Sequence, residues 1–146
     1  MIEFTTKGGL PLLNSPTARA LVARLLEFYR QIGRFQIFAY CVYPKGFRFI
    51  LKEGSGYELF SALEALRGNS EDMVAAQLVK DGKVVDGVWH GLYRQKMIRN
   101  QLELQYELDE LGHLPVHLGL AQHPAEYAFS KTDLASGLDL DQLARG

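Results

Sequence analysis

The sequence predicts an α+β domain in which helices pack against an antiparallel sheet. The chain has 146 residues, of which 47% are hydrophobic and 23% charged, as is typical of one globular core. Runs rich in aromatic and β-branched residues are separated by turn signals, and other stretches carry apolar residues at helical spacing. The order of these elements, strand, helix, hairpin, helix and final helix, implies an antiparallel sheet.

The first predicted elements are a short strand and a long helix. Residues 2–6 alternate in polarity and end at the turn signal Lys7-Gly8-Gly9. Ser15 is a suitable N-cap and Pro16 a suitable first helical residue, because the N–H that proline lacks has no partner at a helix start. Apolar residues then recur at helical spacing up to Gly33, which ends the predicted helix: Ala18, Leu21, Val22, Leu25, Leu26, Tyr29 and Ile32.

Two antiparallel strands follow. Residues 35–43 and 47–51 are both rich in strand-forming types, and Pro44-Lys45-Gly46 joins them through a tight turn. Cys41 lies inside the first run and is the only cysteine, so an intrachain disulfide is excluded. Its apolar neighbours indicate a small buried hydrophobe rather than a nucleophile.

The next segment is predicted as helix and hairpin. Residues 59–66 have helical spacing and end near Gly68, and residues 73–79 extend a further helical segment. Turn signals at 81–82 and 86–87 flank two valines, which predicts a hairpin over residues 78–93.

A last main helix is predicted from Ile98 to Leu111, ending at Gly112. Leu104, Leu108 and Leu111 share one face of it, and a second face carries an acidic stripe, which consists of Glu103, Glu107 and Glu110. We expect one domain over residues 1–130 and a tail over 131–146, in which a weakly Leu-spaced segment spans residues 134–143.

The charge of the chain restricts what it binds. Sixteen Lys and Arg oppose seventeen Asp and Glu, whereas proteins that grip phosphates normally have a basic excess. Nucleic-acid binding must therefore come from a local patch. The chain has no apolar run of roughly 18 residues, and residues 1–6 lack the basic and apolar regions of a signal peptide, so we expect a cytoplasmic protein with no membrane role.

Four stretches occur in the order typical of one known family. They are residues 39–51 (AYCVYPKGFRFIL), 88–93 (VWHGLY), 110–121 (ELGHLPVHLGLA) and 124–130 (PAEYAFS). They resemble motifs of the REP-associated tyrosine transposases: a strand ending in Pro-Asn-His-Val-His, then Leu-Trp-Gln-Gly-Arg-Phe, then Tyr-Ile-His-x-Asn-Pro-Val, then Pro-x-x-Tyr-x-x-Ser. The resemblance covers about residues 2–130 and implies a ferredoxin-like antiparallel sheet flanked by helices.

The chain departs from these motifs where the family does its chemistry. In the family, a His-x-His pair binds a divalent metal and a helical tyrosine attacks the DNA phosphate. The two histidine positions here are Gly46 and Arg48, neither of which offers a metal ligand, and the tyrosine position is Glu110. The resemblance therefore implies a catalytically degenerate member with no catalytic residue, no metal and no cofactor.

Each residue that could replace a lost catalytic group also has an ordinary structural explanation. Tyr106 lies one helical turn before Glu110 and is the best replacement nucleophile, although a ring packed at the edge of the core explains it as well. Histidines that a metal could recruit lie in a Pro- and Gly-containing region, and ordinary surface positions are the expected interpretation. They are His90, His113, His117 and His123.

Two functions of different class remain. The first is a residual module for single-stranded or hairpin DNA, bound weakly through local basic residues: Lys45, Arg48, Lys52, Arg94, Lys96 and Arg99. Tyr43, Phe47 and Phe49 would supply stacking surfaces, although Phe47, Phe49 and Leu51 also alternate as a core-facing row would. The second is a protein-interaction or self-associating domain, such as a homodimer, favoured by the near-neutral charge and the acidic stripe.

One contact would connect the two former catalytic positions. In active relatives the metal and the tyrosine meet at one phosphate, so the strand carrying Arg48 should face the helix carrying Glu110. Because a guanidinium alone beside an apolar sheet is costly, we expect these two side chains to pair. The competing interpretation places both of them in water.

Overall fold

A computed structural model describes residues 1–32, 36–51 and 56–131. Within these residues, five strands and three α-helices form the α+β domain that the sequence predicts. The strands are β1 Ile2–Thr5, β2 Ile37–Tyr43, β3 Gly46–Leu51, β4 Arg94–Gln95 and β5 Ser130–Lys131, and the α-helices are α1 Pro16–Ile32, α2 Gly56–Lys80 and α3 Gln101–His117. Apart from Lys131, the predicted tail lies outside the described residues. None of the described helices has the length and apolarity needed to cross a membrane.

The five strands form one antiparallel sheet in the order β4-β1-β3-β2-β5. The predicted β2–β3 hairpin is present and lies at the centre of the sheet. Glu3 of β1 is paired in register with Arg48 of β3, and Cys41 of β2 lies on the other side of Arg48. Residues from three different strands thus meet at the middle of the sheet.

The two faces of the sheet are covered by different helices. One face carries Phe4, Phe47 and Phe49, which are buried against α1 and α2. The rings of Phe4 and Phe47 are stacked with their centroids 4.7 Å apart. Both Phe47 and Phe49 therefore belong to the core, as the alternating pattern indicates, and neither is a surface for stacking bases.

The opposite face, which we call the α3 face, packs against α3. Its apolar part joins Ala39, Cys41 and Ile50 of the sheet to Leu111 and Leu114 of the helix. Because side chains alternate along a strand, Glu3 and Arg48 also point to this face. The α3 face is thus apolar at Ala39, Cys41 and Ile50 and polar at Glu3 and Arg48.

Helix α2 is continuous, and the predicted break near Gly68 is wrong. The helix passes through Gly68, where the position of a Cβ would be open space. Buried positions continue at intervals of four residues on both sides of it, at Leu66, Ser70, Val74 and Leu78. The row of buried positions is not apparent in the sequence because Ser70 is polar. Ser70 is nevertheless fully buried and accepts a hydrogen bond from the Trp89 indole.

The predicted hairpin over residues 78–93 is also wrong. Helix α2 takes residues 78–80, and the described chain that follows pairs with β1 rather than with itself: Trp89 bridges to Thr6, and β4 pairs with Ile2 and Glu3. Both carboxylate oxygens of Glu71 accept from the Val88 N–H, which holds the connection against α2. Turn signals alone do not identify which strand a segment will join.

Helix α3 is displaced toward the C-terminus relative to its prediction. Asn100 caps its start by accepting a hydrogen bond from the Glu103 N–H at 2.9 Å. The helix continues through Gly112 and ends before Gly119, whose φ of +71° is easily adopted only by glycine. Leu114 and Pro115 are buried at its end, and this packing offsets the hydrogen bond that the proline removes.

Cys41 is a buried apolar residue of the α3 face, as the sequence predicts. Burial raises the pKa of its thiol to about 12, although the charge of Arg48 acts in the opposite direction. The thiol therefore stays protonated in the folded protein at pH values where an unfolded chain has lost that proton.

This difference predicts alkaline destabilisation. Since the folded pKa is raised, the contribution is fully present below pH 9 and is lost as pH rises toward 12. Between pH 8 and pH 10, the wild-type protein should lose about 1.4 kcal/mol more unfolding free energy than Cys41→Ala. Urea denaturation of both proteins at the two pH values measures it. Equal losses would show that this thiol ionises equally in both states.

Candidate nucleic-acid interface

A buried carboxylate organises the polar part of the α3 face. Glu3 accepts a 2.6 Å hydrogen bond from the Tyr43 hydroxyl and a charge-assisted bond from Nε of Arg48. Nη1 of Arg94, on the neighbouring strand, lies 3.4 Å from the other carboxylate oxygen. We call these four residues the Glu3 cluster. It places two guanidinium groups at one point of the sheet.

The electrostatics of the Glu3 cluster favour a charged Arg48 and a neutral Tyr43. Burial acts to lower the pKa of Arg48, but the hydrogen bond that Arg48 donates to Glu3 and its Coulombic interactions with Tyr43 and Glu3 outweigh it and raise that pKa. Burial, followed by the bond and charge of Glu3, raises the pKa of the Tyr43 hydroxyl. The guanidinium also lies over the Tyr43 ring, 5.8 Å from its centroid. Arg48 is thus a permanent cation in a fixed position, with 30% of its side chain exposed.

A second ion pair extends the polar region toward α3. Nζ of Lys96 lies 2.5 Å from the Glu107 carboxylate, and the bond and charge of Glu107 raise the pKa of Lys96. Glu107 is buried, so the predicted acidic stripe is not uniformly solvated. Glu103 is also engaged, since its carboxylate accepts from the Arg99 N–H beside the helix cap. Two of the three stripe residues therefore have local structural partners.

The predicted pair between Arg48 and Glu110 does not form. Arg48 bonds to Glu3 instead, and in the described part of the chain no ion pair involves Glu110. The prediction is wrong because strand pairing sets Glu3 directly opposite Arg48, so the guanidinium finds a carboxylate within the sheet. The strand does carry Arg48 on the α3 face, but the partner comes from β1.

Position 46 has no room for a side chain. Gly46 has a φ of +157°, and a Cβ built on it would lie 2.1 Å from the Phe4 carbonyl oxygen and 3.2 Å from Cα of Thr5. Because these obstructing atoms are backbone, a changed side-chain rotamer cannot relieve the contact. Replacement of Gly46 therefore requires β1 and β3 to move apart.

The other predicted binding residues are distributed unevenly. The structure brings Arg48, Arg94 and Lys96 together on the α3 face, whereas Lys45 is exposed in the β2–β3 turn. Arg99 is exposed just before α3. Lys52 lies outside the described residues.

Tyr106 is not packed at the core edge, since 57% of it is exposed. Nζ of Lys96 lies 5.5 Å from the centroid of its ring. The phenol is thus accessible at the surface next to the Lys96–Glu107 pair.

The histidines are spread over the molecule. His113 and His117 are one turn apart on α3, with ring centroids 6.3 Å apart, and Nδ1 of His113 contacts the Asp109 carbonyl at 2.9 Å. His90 and His123 lie in separate connecting segments. The described residues contain no group of three or more histidine, cysteine, aspartate or glutamate side chains that could hold a metal ion.

The last motif of the chain has a structural role. Tyr127 is buried, its hydroxyl donates to the Val42 carbonyl, and Nη1 of Arg19 donates to that hydroxyl at 3.0 Å. Ser130 then pairs with Cys41 at the edge of the sheet. These contacts connect the end of the described chain to α1 and β2.

Sequence reasoning missed Glu3, the centre of the site. In the alternating strand Ile2-Glu3-Phe4-Thr5, a glutamate between two apolar residues indicates a solvent-facing position. It is buried among Tyr43, Arg48 and Arg94, which come from three other strands of the sheet. The sequence points to Glu3 only indirectly, because an arginine at position 48 within an apolar strand requires a carboxylate partner nearby.

A comparison with solved structures agrees with this architecture. A REP-associated tyrosine transposase bound to a REP hairpin resembles the chain with a TM-score of 0.63 and 20% sequence identity, over 94% of this chain and 79% of that chain. No protein-family model and no curated protein matches the chain. The likeness confirms the fold that the sequence resemblance implies, a transposase-like antiparallel sheet flanked by helices.

Proposed function

We propose that this protein is a non-cutting DNA-binding module that takes single-stranded or hairpin DNA on its α3 face. The observation that carries the proposal is the convergence of Arg48, Arg94 and Lys96 on that face, where the resembled family holds its metal and its phosphate. The structurally similar transposase binds a REP hairpin, which makes a nucleic acid the natural ligand class for this scaffold.

The charges of the site support weak binding. Three cations, Arg48, Arg94 and Lys96, oppose two carboxylates, Glu3 and Glu107, which leaves a net charge of +1. Arg94 is 80% exposed and holds Glu3 only at 3.4 Å, so it is free to turn toward a phosphate. Arg48 is held by Glu3 and would present its charge without moving.

The proposed loss of cutting rests on three positions. A ligand at residue 46 would collide with the β1 backbone, and Arg48 cannot coordinate a cation. Both positions of the His-x-His pair are therefore unsuited to a metal, and Glu110 would repel the phosphate that it should attack.

The experiment that tests DNA binding is a titration against single-stranded and hairpin oligonucleotides at several salt concentrations. With on the order of three to five phosphate contacts, the slope of log affinity against log salt should be about −3 to −5. The paired charges predict weak affinity at physiological salt. Tight binding that ignores salt, or no binding even at low salt, would contradict the proposal.

We also expect no metal-dependent nicking. Incubation of the purified protein with labelled hairpin DNA and Mn²⁺ should give neither a cleaved strand nor a covalent protein–DNA adduct. Tyr106→Phe is the control, because Tyr106 is an exposed tyrosine on α3 near the site. Cleavage that disappears in this variant would show that Tyr106 has taken over as nucleophile and that the protein is an active nuclease.

Self-association is the second candidate function, and one observation favours it. Leu102 on α3 is 81% exposed, and Met97 and Tyr106 near it are more than half exposed, so the start of this helix offers several apolar side chains that a second copy would cover. Sedimentation analysis distinguishes the two functions. A homodimer whose interface includes α3 would be disrupted by Leu102→Glu, whereas the sedimentation of a monomer would not change.

A further inference from the structure

An exposed aromatic and apolar surface begins at the start of α3. It consists of Met97, Leu102 and Tyr106, each with more than half of its surface exposed, and we call it the α3 patch. Leu102 and Tyr106 are four residues apart on the helix, so they lie on the same side of it. Lys96, which follows Arg94 of the Glu3 cluster by two residues, contacts Tyr106 and Glu107 of α3 and so connects the α3 patch to the strand that carries Arg94.

The Tyr106 ring is held beside a fixed cation. Nζ of Lys96 lies 5.5 Å from the ring centroid, and the 2.5 Å bond to Glu107 fixes the position of that amine. The ring is nonetheless accessible to solvent. This combination of an exposed ring and an adjacent cation is what a flat, anionic ligand requires, since the ring accepts stacking and the cation attracts phosphate.

The basic residues near the α3 patch lie on one side of it. Arg94, Lys96 and Arg99 all lie on the side toward β4 and the start of α3. The carboxylates near these cations all have partners. Glu3 lies 3.4 Å from Arg94, Glu103 accepts from the Arg99 N–H, and Glu107 lies 2.5 Å from Lys96.

The opposite side of Tyr106 is acidic. Asp109 and Glu110 follow it on α3, and in the described part of the chain neither makes an ion pair. A polyanion would therefore run from Tyr106 toward Arg94 rather than along α3.

We propose that Tyr106 is a stacking platform for one unpaired nucleobase, whose flanking phosphates contact Arg94, Lys96 and Arg99. This inference rests on the proposed DNA-binding function and adds the ligand class, an unpaired nucleotide. Bases inside a duplex have both faces covered by their neighbours, so away from the duplex ends only a single strand, a loop or an overhang presents a free face to the ring. The aromatic residues of β3 cannot supply this contact because they are buried in the core.

The test compares Tyr106→Leu with Tyr106→Phe in titrations of labelled oligothymidine and of a blunt duplex of equal length at low salt. Tyr106→Leu removes the ring but retains apolar bulk, and it should weaken single-strand binding about tenfold. Tyr106→Phe should bind within about twofold of wild type, and duplex binding should change in neither variant. Phe28→Leu, an exposed aromatic on α1 on the other side of the sheet, is the matched control and should bind normally.

The outcomes separate the platform from DNA binding itself. If Tyr106→Leu binds single strands as wild type does while Arg94→Ala is weakened, the proposed function survives and the platform is rejected. If Tyr106→Leu weakens duplex and single strand equally, selectivity for an unpaired base is rejected. If the wild-type protein binds neither DNA, both proposals fail. Unchanged thermal unfolding of each variant excludes misfolding as the cause.

Discussion

Arg48→Ala should lower the free energy of unfolding by about 3 kcal/mol. The substitution leaves the buried Glu3 carboxylate with the Tyr43 hydroxyl and a distant, mostly exposed Arg94 as its partners. Without the guanidinium, the desolvation of that carboxylate is no longer offset. The loss is large because the carboxylate that remains is almost completely buried, even though Arg48 itself is partly exposed.

Arg94→Ala is the matched control, since it removes the other guanidinium on the same carboxylate. At 80% exposure and 3.4 Å it should cost less than about 1 kcal/mol. Combining Arg48→Ala with Glu3→Gln should cost less than the sum of the two single substitutions, because the second change removes the uncompensated charge. Urea denaturation of the wild-type protein and the four variants measures these losses. Equal, small losses for both arginine variants would mean that Glu3 is solvated.

Gly46→Ala should destabilise the protein by about 3 kcal/mol or more. A methyl group at this position meets the Phe4 carbonyl oxygen at 2.1 Å, so the central β1–β3 pair must separate locally. Chemical denaturation and the yield of folded protein provide the measurement. A larger side chain meets the same obstruction, and Gly46→His should therefore be at least as destabilising.

This expectation has a functional consequence. Introducing the histidine pair of the resembled family with Gly46→His and Arg48→His should not create a metal site, since the first change disrupts the sheet and the second leaves Glu3 without its cation.

Gly68→Ala is the control for loss of a glycine as such. Gly68 is exposed within α2 and its Cβ position is open, so the substitution should stabilise the protein by about 0.5 to 1 kcal/mol through the higher helix propensity of alanine. Opposite signs for the two glycine variants would confirm that Gly46 is required by sterics. A neutral Gly46→Ala would show instead that β1 and β3 adjust at little cost.

The sequence by itself determined those features that depend on neighbours along the chain. Ser15 and Pro16 set the start of α1, because capping is a local hydrogen-bonding requirement. The alternation through Phe47 and Phe49 identified the core side of β3, since side-chain direction in a strand follows directly from position. These local features, together with the motif order, were enough to predict the α+β class and the transposase-like fold.

The tertiary structure alone decided which distant residues share a partner. Nothing local distinguishes Glu3 from a solvent-facing glutamate, and its role follows from β1 pairing beside β3, which places it opposite a residue 45 positions away. The same holds for α2, where burial of Ser70 under Trp89 keeps the helix continuous past Gly68. Long-range pairing carries an entropic cost that is repaid only when the sheet and its covering helices assemble together. The partners of Glu3 and Ser70 are therefore properties of the assembled fold rather than of any segment.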